Sequence, residues 1–322
     1  MRSRKQLKNK LQATLGIRQI TRAMEMVAAT KMRRAEETAL ASRPYAKKAL
    51  ALLRNLLSTV QKEDLVSHSH YFKRSIDGPV CLVVVTSDRG LAGSFNANVL
   101  RQAESFLAQH PSSDVVAVGK KAQDFFKVRG AAASFADFSD IATLPEIAPL
   151  ADWLLSRYEN HTYDSIVFCS TNFVSALSQK VEHTDVLPLT VEGLLSIIER
   201  IVPKTGRYSG LQNGEEKETP FALFEPSATE VFEAIVPELV RVEILHLMFE
   251  SAASEHASRM VAMKAATESA DDIISELGLE LNKARQAGIT QELAEISTAK
   301  EALSHESREG RTNIRSRRGR RV

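Results

Sequence analysis

The chain has 322 residues, enough for one sizeable domain or two small ones, and its 43% hydrophobic and 25% charged content is ordinary for a soluble protein. The longest uninterrupted apolar run, Val80 to Val85, is six residues, far short of a membrane span. A net charge of +2 conceals an asymmetry: residues 1–34 hold ten Lys or Arg against Glu25, residues 304–322 hold seven Arg against Glu306 and Glu309, and residues 35–303 carry a net −12. Both ends therefore suit an acidic partner or a nucleic acid, and the middle does not.

The basic N-terminus has no apolar core and no cleavage site, so no signal peptide is expected. Its pattern runs on into the fold, which also argues against a transit peptide. Cys81 and Cys169, the only two cysteines, each lie inside an apolar run. They read as buried small hydrophobes of a protein in a reducing compartment, rather than a disulfide or a metal pair.

From Arg4 to about Val60 the spacing is helical. Ile17, Ile20, Met24 and Val27 trace a narrow seam, Ala28, Met32 and Ala35 continue it one step out of phase, and Leu50, Leu53, Leu57 and Val60 extend it. Pro44 should bend or divide this helix. The character then changes: Gly78-Pro-Val-Cys-Leu-Val-Val-Val85 is a continuous apolar strand of the kind buried on both faces. A turn over 86–93 leads into a helix to about Ala108. Strand Asp114–Val118, helix Lys120–Val128, a weak strand Ala131–Phe135, part of a helix at Leu150–Tyr158, strand Ser165–Cys169 and an alternating strand Ser178–Leu187 follow. Strands alternating with helices predict a Rossmann-like open α/β domain over 78–205, inserted between the two ends. Residues 206–226 read as a polar, Gly-containing linker and loop.

A second helical stretch runs over 227–303. Its start is marked by Pro226 and by Ser227 and Glu230 at capping-box spacing. Ile235, Leu239, Val242, Phe249, Ala253, Met260, Met263, Ala270, Ile274, Leu277, Leu281 and Ala284 fall at steps of three and four, with His246, His256 and Thr267 on the remaining beats. A 3.5-residue repeat held for some 70 residues predicts a supercoiled rod of roughly 105 Å. Ala, Thr, Met and His replace the Leu and Ile of a tight zipper, and Gly278 and Gly288 sit within it, each costing about 1 kcal/mol against Ala. Pro237 should kink the first turns or set them apart. Two long helices with narrow seams, one in residues 1–77 and one in 227–303, are accommodated most economically as an antiparallel coiled coil. Residues 304–322, rich in Arg, Gly and Ser, are expected to lack regular structure.

No stretch has the pattern of a catalytic centre. Ser87-Asp-Arg-Gly-Leu-Ala-Gly93 stands where an α/β sheet commonly binds phosphate, yet it has neither a P-loop Gly-Lys-Ser/Thr nor a dinucleotide fingerprint. It reads as a structural or docking turn rather than a nucleotide site. His68, His70 and Tyr71 lie in a polar connector with no third metal ligand in view, and His246 and His256 read as polar breaks in a weak seam. Lys31-Met-Arg-Arg34, with Arg18 and Arg22, forms a basic ridge whose self-repulsion calls for an acidic partner. Two other classes remain open at this level: a nucleotide-binding enzyme built on the sheet, and a coiled-coil nucleic-acid binder using the basic ends.

Four segments carry a resemblance. Ile20-Thr-Arg-Ala-Met-Glu-Met-Val-Ala-Ala-Thr-Lys-Met-Arg-Arg-Ala35 with Ala41-Ser-Arg-Pro-Tyr-Ala46, then Ser87–Gly93, Glu255-His-Ala-Ser-Arg-Met-Val-Ala-Met263 and Asn282–Ile296 resemble, in order, the γ subunit of F-type ATP synthases. The resemblance implies a non-catalytic rotor shaft with no cofactor of its own. Its terminal helices would enter a hexamer of α and β subunits, and its α/β domain would sit beside the ε subunit on the c-ring. The membrane would be met only through that ring, at the cytoplasmic face of a bacterial cell membrane, and no nucleic acid is expected. The resemblance also implies that Met24, Lys31 and Arg33 face lever loops of the β subunits and that Arg285 and Gln286 match a second contact with β. Phe224 and Glu225 would belong to the loop resting on the c-ring and ε, and Asp88 and Arg89 to a docking turn. This sequence departs from the family in Phe224, where many relatives have Tyr, in Gly288, where Ala or Ser is frequent, and in about twenty added C-terminal residues. It lacks the cysteine pair in 200–240 on which thiol regulation in chloroplast relatives depends.

Overall fold

The computed structural model describes residues 3–41, 71–72, 78–140, 142–189, 225 and 227–318. Helix α1 spans Arg4–Ala41, β1 Val80–Val85, α2 Phe95–Gln109, β2 Asp114–Val118, α3 Lys120–Phe126, β3 Ala133–Phe135, α4 Leu144–Glu159, β4 Ser165–Ser175, β5 Ser178–Leu187 and α5 Ala228–Arg318. The expected helix over 50–60, His68 and His70, the 206–220 linker and Phe224 lie outside the described residues. The chain divides into two compact units, one of residues 1–23 with 264–322 and one of residues 24–263.

In the second unit a five-stranded sheet has the order β3-β2-β1-β4-β5. The first four strands are parallel and β5 returns antiparallel to β4. Side-chain alternation sorts the central strands onto two faces. Cys81, Val83, Val85, Val116, Val118, Ile166 and Phe168 join α4 and the beginning of α5 in one core. Leu82, Val84, Val115, Ala117, Val167 and Cys169 join α2 and α3 in the other. Both faces of the parallel strands are thus covered, which is why β1 is an unbroken apolar run. Each fully buried Leu, Ile, Val or Phe here contributes about 1.5–3 kcal/mol.

Before residue 250 the buried stripe is not the expected one: Ile235, Leu239 and Val242 are only half-buried, and the residues beside them turn inward. Phe232, Val236, Val240, Ile244 and Leu247 of α5 are buried in the same core as the sheet and α4. Phe232 also stacks on Phe72 with centroids 5.3 Å apart. Helix α5 begins where expected, with the Glu230 N–H donating to Ser227 Oγ at 3.2 Å. It passes through Pro237 without a break. Apolar packing at Phe232, Val236 and Val240, on either side of the proline, outweighs the lost backbone hydrogen bond.

In the first unit α5 does follow the predicted repeat. Thr267, Ala270, Ile274, Leu277, Leu281, Ala284 and Gly288 are buried or half-buried, and residues 289–301 are exposed. On α1 the seam is Leu7, Leu11, Thr14, Arg18 and Thr21. Arg18 Nη1 meets Asp271 Oδ1 at 3.1 Å, and Thr267 Oγ1 donates to Thr21 Oγ1 at 2.8 Å. Ile17 and Ile20, expected in the seam, are instead more than half exposed, as is Val27 in the second unit. The inward phase of α1 carries a small side chain at every seventh position, Thr14, Thr21, Ala28 and Ala35, and the isoleucines lie in the phase beside it.

The C-terminal expectation is also corrected: residues 304–318 continue α5 as helix. No proline follows Pro237, and arginines gathered at a helix C-terminus complement its macrodipole.

Helix α4 opens with a capping box in which Glu146 does most of the work. Its carboxylate accepts from the Thr143 N–H at 2.7 Å and from the Thr143 and Ser139 hydroxyls at 2.8 Å each. These donors hold its pKa down, from 4.5 to about 2. A carboxylate depressed on folding adds stability that is complete above the unfolded value and is lost as pH falls through the folded one. Between pH 4.5 and 2 the melting temperature should therefore fall more steeply for the native chain than for Glu146→Gln. Parallel slopes in calorimetry would contradict this.

Candidate functional site

Chain order in the sheet reverses beside β1, between β2 and β4, and in open α/β folds the crevice at such a point is the usual site. The turn leaving β1 is tied down almost atom by atom. Thr86 N–H donates to the Val118 carbonyl at 2.9 Å, and Thr86 Oγ1 accepts from the Ala122 N–H at 2.8 Å. Ser87 N–H donates to Asn96 Oδ1 at 3.0 Å, and Ser87 Oγ to the Arg89 carbonyl at 2.6 Å. Asp88 Oδ1 accepts from the Lys120 N–H at 2.9 Å, and Oδ2 from the Asp137 N–H at 3.1 Å. Asp88 thus takes the Lys120 N–H at the start of α3 and ties the turn to that helix and to the loop after β3. The turn is built to hold shape and present a surface.

That surface rests on α5. At Gly93, with φ +56°, an added Cβ would stand 3.6 Å from the Ala262 Cβ and 3.8 Å from the Ser258 carbonyl oxygen. Ser254, Ser258 and Ala262, four residues apart, keep this stripe low enough for the turn and for the ends of β4 and β5. Ser254 Oγ donates to the Thr171 carbonyl and Ser258 Oγ to Gln179 Oε1, each at 3.4 Å.

Beside the stripe lies a buried charged cluster. Arg259 Nη2 is 2.6 Å from Glu255 Oε1 and donates to the Arg89 and Gly90 carbonyls at 3.4 Å each. Arg259 Nη1 lies 3.2 Å from His256 Nδ1. Arginine can only donate, so Nδ1 accepts and the ring proton sits on Nε2. Burial and the Arg259 charge push His256 down to about 4 and keep it neutral near pH 7. Burial raises the Glu255 carboxyl more than Arg259 lowers it. Lys31 Nζ of α1 pairs with Asp140 Oδ2 at 2.6 Å, holding that carboxylate below its usual range. The His256 ring bonds to the Asp140 main chain.

The structure thus brings Asp88, Arg89 and Lys31 into one neighbourhood, with Arg89 exposed. Met24 is half-buried and Arg33 exposed on α1, and Arg285, Gln286 and Glu225 are exposed. Asp140, Glu255, His256 and Arg259 were not singled out from sequence as a site. Glu255 and Arg259 at i,i+4 were a legible pair, whereas Asp140 lies in a loop with no motif around it.

A family model described as ATP synthase matches residues 3–303. The ATP synthase gamma chain of Geobacter metallireducens is 35% identical over 308 residues, covering 94% of this chain and 99% of that one. That of Synechococcus sp. strain PCC 6716 is 36% identical over 312 residues, covering 93% and 98%. In fold, the chain is similar to one from the Euglena gracilis mitochondrial ATP synthase OSCP/F1/c-ring structure, with TM-score 0.59, 21% identity and coverage of 92% and 93%. A chain of the Tetrahymena thermophila central stalk and c-ring gives TM-score 0.51 at 22% identity, covering 77% of this chain and 99% of that one. Together these define a subunit of a larger enzyme rather than its catalytic chain. The protein belongs to the ATP synthase gamma-chain family.

Proposed function

We propose that this chain is the central rotor shaft of an F-type ATP synthase. In this reading it performs no bond chemistry. It converts rotation of a membrane ring into the succession of β-subunit conformations that bind ADP and phosphate and release ATP, and it runs the reverse course under hydrolysis. Family membership over residues 3–303 is the observation that carries the reading.

The finer parts have supports of their own. Arg18 pairs with Asp271 and Thr21 with Thr267, so the partner number falls as the α1 number rises, the order of an antiparallel coiled coil. Exposed Ile17, Ile20, Ile289, Leu293 and Ile296 offer apolar surface to an enclosing sleeve of α and β subunits. Arg33, Arg285 and Gln286, all exposed, are free to meet β subunits, and half-buried Met24 lies on the same helix as Arg33. Arg89 and the turn fixed by Asp88 are a docking surface, and Phe224 with Glu225 faces the c-ring and ε. The complex lies at the cytoplasmic face of a bacterial membrane, reached only through the ring.

Tagging the chain in its native host and extracting membranes gently tests this. Recovery with α, β, ε and c subunits and ATPase activity is expected. Recovery alone, or with nucleic acid, would overturn it.

A further inference from the structure

We propose that Asp140 is the positioning residue through which the α/β domain grips both long helices, and that Lys31 acts inward on Asp140 rather than outward on a partner chain. The proposal rests on the rotor reading for its consequence, not for its geometry.

Asp140 stands in the loop between β3 and α4, and two different parts of it hold two different helices. Its carboxylate takes Lys31 Nζ of α1 at 2.6 Å, and its main chain holds the His256 ring of α5. His256 is in turn fixed by Arg259, whose other contacts are Glu255 and the carbonyls of the turn after β1. Sheet, α1 and α5 therefore meet within one residue's reach. Lys31 is largely covered and its ammonium is engaged, whereas Arg33, two positions on, is exposed. The basic ridge divides into an inward cation and an outward one.

A half-exposed ion pair adds little to static stability. In a shaft its value is different: it resists α1 sliding or turning against the domain when torque enters at one and leaves at the other. Asp140 is suited to this because its backbone contact with His256 does not depend on its side chain. Substitutions at the carboxylate should loosen α1 while leaving α5 in place and the fold intact.

The experiment uses the assembled complex in inverted membrane vesicles and compares Asp140→Lys, Lys31→Asp and the two together. Proton pumping per ATP hydrolysed should fall about three- to tenfold in each single variant, the scale by which residues along a coupling network act. Hydrolysis itself should stay within about twofold, and the double variant, which restores the pair with its charges exchanged, should recover most of the pumping. The proposal is overturned if Asp140→Lys pumps normally, or if Lys31→Asp is equally defective with and without Asp140→Lys, since Lys31 would then act on another chain. Melting of the isolated full-length variants gives an independent readout. Non-additive melting temperatures are expected from the inward pair, and additive ones would overturn it. Complexes that fail to form or pump with the native chain would defeat the rotor reading, and the melting series would still decide the pair.

Discussion

Replacing Arg259 with methionine is expected to destabilise the 24–263 unit by about 3–5 kcal/mol, the cost of breaking a buried ion pair by removing one partner. Only 11% of the Arg259 side chain and 19% of the Glu255 side chain is exposed, so water cannot take over from the guanidinium. Four groups lose their donor together: the Glu255 carboxylate, His256 Nδ1, the Arg89 carbonyl and the Gly90 carbonyl. Glu255→Gln combined with Arg259→Met should recover more than half of the loss, because no buried charge is then left unpaired.

The pH dependence of the same variant has a definite sign. Burial already raises the Glu255 carboxyl, and losing Arg259 removes the principal influence that lowers it. A carboxyl raised in the folded state takes up a proton on folding, so its contribution is most favourable at low pH and is lost as pH rises through the folded pKa. His256, now depressed to about 4 partly by Arg259, moves back toward 6.5 in the variant. Both changes act in one direction. The stability gap between native chain and Arg259→Met should narrow as pH falls from 7 to 5, measured by urea unfolding. A constant gap would contradict the assignment of Arg259 as the counter-charge.

Gly119→Ala carries a comparable penalty from a different cause. Gly119 sits at φ +87° and ψ 150°, a region nearly closed to residues with a Cβ, and that Cβ would lie 2.2 Å from the Thr86 carbonyl oxygen. Neither side can yield cheaply. The Gly119 N–H donates to Phe135 at 2.8 Å, and the Thr86 N–H is bonded to Val118 at 2.9 Å. Strain and overpacking together should cost about 3 kcal/mol or more. Gly90→Ala, with nothing within 4 Å of the added carbon, should stay within about 0.5 kcal/mol. Equal unfolding midpoints for the two variants would show that the turn is softer than its hydrogen bonds imply.

The apolar run at β1, the alternation of β5, the α5 cap at Ser227 and the seam from Thr267 to Ala284 could be read directly, because in each the residue pattern and the local geometry have the same period. Periodicity gives a helix but not its partner, and over 232–247 it marked Ile235, Leu239 and Val242 where the neighbouring phase is buried. Phe232 to Leu247 kept helical spacing and packed on a sheet. In α1 two apolar phases competed, and nothing local told that Ile17 and Ile20 would face outward. The 304–318 helix is not legible in a composition of Arg, Ser and Gly, although no proline interrupts it. His256 falls on a seam beat in the sequence, and Arg259 one turn on is what makes it a buried hydrogen-bond acceptor. Asp140 could not have been found, since its significance lies wholly in contacts distant along the chain.

On the proposed function, this chain turns inside a catalytic hexamer. Both native thiols are buried and pushed up to about 12, so a single Val128→Cys, at a position 98% exposed, can be labelled selectively. With the hexamer anchored to a surface and a bead on that cysteine, ATP should drive stepwise rotation in one direction. ATP hydrolysis continuing beneath a bead that only fluctuates would contradict the account.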